Sequence, residues 1–324
     1  MFSDISAIVK SRRKYLGMTQ SQLAEGICRR ETIARLESGK RKTDFFIANE
    51  VMHKLGLIME SGIEIPISRD CSTVRERNIE LNQLSAVHDY RGCMEFVEKW
   101  KDHRLFRKGT YGYIIIKQAE ITAYFHNGDP NGPDRTYAII YEILNILRPG
   151  FQLEKIGDYY LSQLETATLQ NLSVHYALHK NDWNKGIELL EKVTKALEVK
   201  YVKITGFGKW YYRNMLGFLC MFYLQAGRFQ DALETAENCI GFFFDGYLAT
   251  VSPAPCFYRG MCVKAASLIK LGRKEEGEEQ YKKFLMLSYV LDGFLGESFD
   301  AHVKAAEEVL GSPIDLSIPW GHRK

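Results

Sequence analysis

Two histidines one helical turn apart, His175 and His179, have the most metal-like spacing in the chain. Imidazoles at i and i+4 can chelate zinc, and a Glu directly after the first would supply a general base, but Tyr176 stands there. With no third ligand evident, the pair reads as a polar feature of a groove and no metal is expected. The seven cysteines, at 28, 71, 93, 220, 239, 256 and 262, include no CxxC pair, so neither a zinc site nor a disulfide framework is indicated and most read as small core residues. There is no glycine-rich phosphate loop and no nucleophile elbow, and the acidic residues fall mostly at spacings suited to i,i+4 charge pairs. Neither catalysis nor a cofactor is expected, and Tyr211-Tyr212 and Phe242-Phe243-Phe244 read as packing residues.

The remaining polar chemistry suits recognition. Arg30 and Arg35 carry guanidiniums that can bond bidentately to guanine O6 and N7, and Glu31 can accept from cytosine N4. Arg29 adjoins them, and Lys40, Arg41 and Lys42 follow, where they can neutralise phosphates without reading sequence. The charge distribution agrees: over residues 1–56 eleven Lys/Arg stand against six Asp/Glu, a net +5 that leaves −2 for the rest of a chain whose total is +3.

Helical elements must hold these groups. Ile5, Ile8, Val9 and Leu16 recur at helical spacing and Gly17 ends the run, giving a first helix. Thr19 and Gln22 form a capping box before the apolar Leu23, Ala24 and Ile27, giving a short second helix. After Cys28, the stretch Arg30 to Glu37 turns Ile33 and Leu36 inward and stops at Ser38-Gly39. A short helix, a turn and a helix with a charged N-terminal end make a helix-turn-helix, whose last helix can lie in a major groove. Phe45, Phe46, Ile47, Val51, Met52 and Leu55 supply a closing helix, and the pattern breaks at Gly62, Ile63, Ile65, Pro66 and Ile67.

The run Gly17 to Ile27 with Thr32 to Gly39 resembles the phage-repressor-like, XRE/Cro-type DNA-binding domain over about sixty residues. Its TQxQLAEGIC wording looks like the PlcR/Rgg-like branch of the RRNPP family of peptide-responsive bacterial transcription regulators. The resemblance implies that Gln20 touches backbone phosphate, that Arg30, Glu31 and Arg35 face bases, and that Arg13 and Glu37 tie the first helix to the third. Arg12 departs from the family pattern, standing where an aliphatic core residue is usual.

Beyond residue 72 the chain repeats. Tyr90, Trp183, Phe229 and Lys274 align, each with a small residue three positions on (Cys93, Gly186, Ala232, Gly277), at spacings of 93, 46 and 45. A further repeat around Tyr137, after the Gly128 to Pro133 loop, fills the double gap and makes five helical hairpins of tetratricopeptide (TPR) character. On that register the concave face receives Asn78, Asn82, Asn171, His175, Asn214 and Arg259. A row of Asn side chains, each both donor and acceptor, can clamp the backbone of an extended peptide, a device the resembled family uses. Gly217 and Met221 would accommodate apolar peptide side chains, and Arg259, or Arg213 and Lys209, could receive a terminal carboxylate.

The expectation is an all-α chain: a five-helix XRE-type helix-turn-helix domain at 1–60, a linker at 61–72, a TPR-like peptide-sensing and dimerisation domain at 73–312, and a tail at 313–324. With no long apolar run and no basic-then-apolar leader, it reads as cytoplasmic and free of membranes, and as a regulator of the resembled kind it is expected to act as a homodimer. Its expected partners are a two-fold symmetric DNA operator and a short signalling peptide. The alternative left open is a repeat domain that binds a folded protein or serves only as a dimerisation scaffold.

Overall fold

Local capping chemistry sets where the helices begin. The computed structural model describes residues 5–39, 45–55, 69–86, 89–126, 131–202, 207–244, 255–292, 304 and 307–311, and among these there is no β-strand. The chain divides into two compact units, Met1–Tyr211 and Tyr212–Lys324.

The first unit opens with α1 (Ile5–Tyr15), α2 (Gln20–Ala24), α3 (Arg30–Glu37) and α4 (Phe45–Lys54). Thr19 and Gln22 close the expected capping box: the Gln22 amide donates to Thr19 Oγ1 at 3.1 Å and the Thr19 amide to Gln22 Oε1 at 2.8 Å. Gly17 takes a φ of 65°, the left-handed geometry that ends α1. Val9, Leu23, Ile33, Val51 and Leu55 are fully buried together, each worth about 1.5–3 kcal/mol of apolar burial. Of the five helices expected in this head, four lie among the described residues, and 56–68 fall outside them. Arg12 is no misfit: its Nε donates to the Leu55 carbonyl at 3.2 Å and so satisfies the end of α4.

Three helical hairpins complete this unit: α5 (Arg69–Ala86) with α6 (Tyr90–Trp100), α7 (Tyr111–His126) with α8 (Gly132–Leu147), and α9 (Gln163–Val174) with α10 (Trp183–Leu197). Helix α5 starts inside the segment expected as linker. Tyr90 and Trp183 are the first residues of their helices because Asp89 and Asp182 cap them, accepting from Gly92 N at 2.8 Å and Lys185 N at 2.9 Å. Helix α8 is the exception. It starts at Gly132, with Pro133 in its first turn, so Tyr137 lies inside the helix.

The second unit carries most of α11 (Phe207–Gln225), then α12 (Phe229–Phe244), α13 (Pro255–Lys270) and α14 (Lys274–Asp292). Phe229 and Lys274 again open their helices, so the aligned aromatic or basic residue marks a helix start in four of the five hairpins. The small residue beyond it is a packing requirement. A Cβ at Gly277 would sit 2.5 Å from Ile269 Cγ1 and 2.9 Å from the Ala265 carbonyl.

One ion pair fixes α3 against α1. Arg13 Nη2 donates to Glu37 Oε2 at 2.9 Å, Arg13 Nε bonds the other carboxylate oxygen, and Arg13 Nη1 reaches the Met18 carbonyl at 2.7 Å. Burial pushes the Glu37 carboxyl up, but the hydrogen bonds from Arg13 and Gln20 and the Arg13 charge outweigh it and hold its pKa below the ordinary value. The stability Glu37 contributes is therefore full above the ordinary carboxylate range and lost as pH falls through its lowered pKa. Glu37→Gln is expected to cost ~3 kcal/mol at neutral pH. In chemical denaturation the gap to the parent protein should narrow steadily on acidification, and a pH-independent gap would assign the loss to packing.

Candidate DNA interface and its junction with the repeats

Helix α3 presents opposite faces to two environments. Ile33 and Leu36 enter the core of the head, while Arg30, Glu31 and Arg35 are exposed, with Arg29 exposed at the N-cap. Among the described residues Arg29, Arg30 and Arg35 make no ion pair. Four exposed arginines elsewhere do: Arg91 with Glu95, Arg104 with Asp70, Arg228 with Asp231 and Arg273 with Glu276. Three unneutralised guanidiniums on one edge leave that edge positive and open to an anionic partner. Gln20 is half-buried and already engaged, its Nε2 donating to Glu37 Oε2 at 2.9 Å, which joins α2 to the α1–α3 lock. Lys40, Arg41 and Lys42 lie outside the described residues.

The expected groove residues fall on four helices. Asn78 is half-buried on α5, Asn171 on α9, and Asn214 and Met221 on α11. Of Asn82 and Lys209 only the helical backbone is described. His175 follows α9 at the start of a π-helical turn, His175–His179, and is fully buried among the rings of Tyr137, Tyr176 and His179. Burial first, then the positive charge of His179 and Lys180, pulls its pKa down to about 4, so the imidazole is neutral near pH 7. No cluster of metal-ligating residues exists among the described residues. Two placements differ from an open groove. Arg213 is 1% exposed, and the space a Cβ would take at Gly217 is filled by Cys256, whose Cβ is 3.0 Å away. Arg259 lies with its guanidinium 4.0 Å from the centroid of the Phe218 ring.

Within the first unit, a seam that no local sequence pattern signals joins the head to the repeats. Arg148, the C-cap of α8, donates from Nη1 to Glu25 Oε2 and from Nε to Glu165 Oε1, both at 2.7 Å. Glu165 is completely buried and also accepts from the Ser162 amide at 2.7 Å, completing the cap of α9. Gly26 makes room for it: with a φ of +72°, its missing Cβ would stand 2.2 Å from Glu165 Oε2. Lys54 Nζ donates to the Glu25 carbonyl at 2.6 Å, and His53 Nδ1 meets Gln163 Oε1 at 2.7 Å. Apolar contacts interlock in both directions, with Phe46 stacked on Tyr111 at 4.3 Å and Tyr160 packed on the head's core. Burial, reinforced by Glu165, pushes the Glu50 carboxyl up to about 8 against the pull of Lys54. Burial brings the Lys54 ammonium down to about 7, with Glu165 and Glu25 resisting and Arg148 assisting.

The helix-turn-helix family HTH_3 matches residues 9–57. These residues are a helix-turn-helix domain. A helix-turn-helix is built to place its last helix in a DNA major groove. No curated protein sequence matches the chain. Among solved structures, PlcR of Bacillus thuringiensis in complex with the peptide PapR7 and DNA is 18% identical, with 94% of this chain and 98% of that one covered at a TM-score of 0.58. The apo form of the competence regulator ComR from Streptococcus vestibularis is 15% identical, covering 94% and 98%, at a TM-score of 0.50. These likenesses show a shared fold of helix-turn-helix followed by TPR-like helical repeats. No helix among the described residues is long and apolar enough to cross a membrane.

The seam generates a sharp expectation. Removing the Arg148 guanidinium strands a fully buried carboxylate, so Arg148→Met should lower unfolding stability by about 3–5 kcal/mol. Adding Glu165→Gln should recover most of that loss in a double-mutant cycle, and simple additivity of the two losses would contradict the pairing.

Proposed function

We propose that the chain is a sequence-specific DNA-binding regulator whose DNA affinity is set by a short signalling peptide held along the repeats, as in quorum sensing. The observation that carries the DNA half is the trio Arg29, Arg30 and Arg35, exposed and without ion pairs among the described residues, at the N-cap and on a helix whose position the Arg13–Glu37–Gln20 network fixes. Arg30 and Arg35 read guanine edges, Glu31 accepts from cytosine, and Lys40, Arg41 and Lys42 follow the backbone. A homodimer would place two such helices on successive major grooves of a two-fold operator.

The peptide half is supported by the half-buried Asn78, Asn171 and Asn214 and by a fold shared with PlcR, a protein whose structure holds a peptide and DNA. A peptide bridging several hairpins favours one curvature of the repeats. The Arg148–Glu25 contact then passes that preference to the head. The cytoplasm is the compartment in which such a protein meets DNA.

Selection of duplexes from a random library tests the first half. The parent protein should enrich a two-fold symmetric site, and Arg30→Ala and Arg35→Ala should each lose about 1–3 kcal/mol of discrimination at one base pair. Equal weakening on every sequence would demote both to phosphate contacts. For the second half, titration with short peptides encoded by the host should show saturable binding, weakened about tenfold by Asn171→Ala or Asn214→Ala. A stoichiometric protein partner with no peptide bound would favour a protein-docking role for the repeats.

A further inference from the structure

Cys239 and Cys256 are isolated in the sequence, 17 residues apart, but α12 and α13 bring them together. Both are completely or almost completely buried, and both pack in one small cluster with Leu216. Cys239 Sγ lies 3.4 Å from the Cys256 carbonyl and 3.6 Å from that of Arg213. Gly260, one turn beyond Cys256 on the same helix, lies against the same stretch of α12, where a Cβ would stand 3.2 Å from Ile240 Cγ1 and 3.6 Å from Cys239 Cβ. We propose that Cys239 and Cys256 are a redox-active thiol pair that a hydroperoxide converts to a reversible disulfide joining α12 to α13.

Three features of the position favour Cys256 as the attacking sulfur. It lies in the first turn of the 16-residue helix α13, where the backbone amides and helix dipole stabilise a thiolate. The Cys239 thiol is within hydrogen-bonding reach of it and can donate to its sulfur. The guanidiniums of Arg213 and Arg259 add positive charge from α11 and from the next turn of α13. The Cys239 hydrogen bond, with the help of both arginines, pulls the Cys256 thiol below its ordinary value despite burial. Three other thiols behave oppositely: burial pushes the buried Cys220 up to about 12 and the half-buried Cys28 up to about 11, and it also raises the half-buried Cys262.

The chemistry balances with hydrogen peroxide as the oxidant. The Cys256 thiolate attacks one peroxide oxygen, the O–O bond breaks, and hydroxide leaves as water on taking a proton, so that Cys256 becomes a sulfenic acid. Cys239 then gives up its proton as its sulfur attacks that of Cys256. The S–S bond forms, the S–O bond breaks and a second water departs, two sulfurs having supplied two electrons. A thiol reductant reverses the reaction. The disulfide would lie directly against Gly217, so oxidation would alter the packing of α11 on α13.

No Lys or Arg falls between Phe229 and Tyr258, so trypsin releases both cysteines in the single fragment Phe229 to Arg259. After the folded full-length protein is treated with hydrogen peroxide, that fragment should lose two hydrogens and accept no alkylating label, and a thiol reductant should restore two labelled sites. Cys239→Ser should stop the reaction at a sulfenic acid trapped by dimedone on Cys256, whereas Cys220→Ser should change nothing. Both thiols staying fully alkylatable after peroxide would overturn the proposal, as would a disulfide formed only in denaturant. Should a serine variant fail to fold, the parent protein still decides: iodoacetamide should label Cys256 before Cys220 and Cys262 below pH 8, and the reverse order would overturn the assignment.

Discussion

Arg148 holds two carboxylates that the chain separates by 140 residues, Glu25 in the head and Glu165 at the start of α9. Much else in the first unit depends on that arrangement. A buried carboxylate such as Glu165 is tolerable only when paired and hydrogen-bonded, and here the guanidinium and the Ser162 amide satisfy it together. Because Arg148 also grips Glu25, the group that stabilises the third hairpin also holds the helix-turn-helix head. The interlocking rings, Phe46 on Tyr111 and Tyr160 on the head's core, add apolar contact between head and repeats.

Two kinds of rigidity follow, and they serve different ends. Inside the head, Arg13, Glu37 and Gln20 fix the angle of α3 against α1 and α2, so its exposed arginines keep one spacing. Across the seam, His53 and Arg148 tie the head to the repeats, and inside the head Lys54 holds the Glu25 backbone that Arg148 grips. The seam concentrates groups with displaced protonation, a Glu50 that keeps its proton near neutrality and a Lys54 that readily gives one up. Such a junction is sensitive to small movements, because each unpaired charge would have to be buried alone.

Much of the architecture was legible because it is governed by local rules. Thr19 and Gln22 announce a helix start, and Asp89 and Asp182 stand one residue before Tyr90 and Trp183, so capping residues and the small residue behind them locate the repeats. Tyr137 was a poorer marker because Gly132 and Pro133 start α8 earlier than the aligned pattern does. The Arg13–Glu37 pair came through family resemblance and is present. The seam was not legible: Glu25, Lys54, Arg148 and Glu165 look like ordinary surface charges in a sequence, and only tertiary folding makes them partners. Cys239 and Cys256 illustrate the same limit, since irregular spacing hid a contact between adjacent helices.

The central claim is that the head and the third hairpin are one mechanical unit through Arg148. Native-state hydrogen exchange on the full-length protein tests it most directly, comparing amides of α4 and α9 in the parent and in Arg148→Met. The account predicts that the two helices open together in the parent and lose protection by the same amount in the variant. Loss confined to α9, with α4 and the rest of the head unchanged, would contradict it.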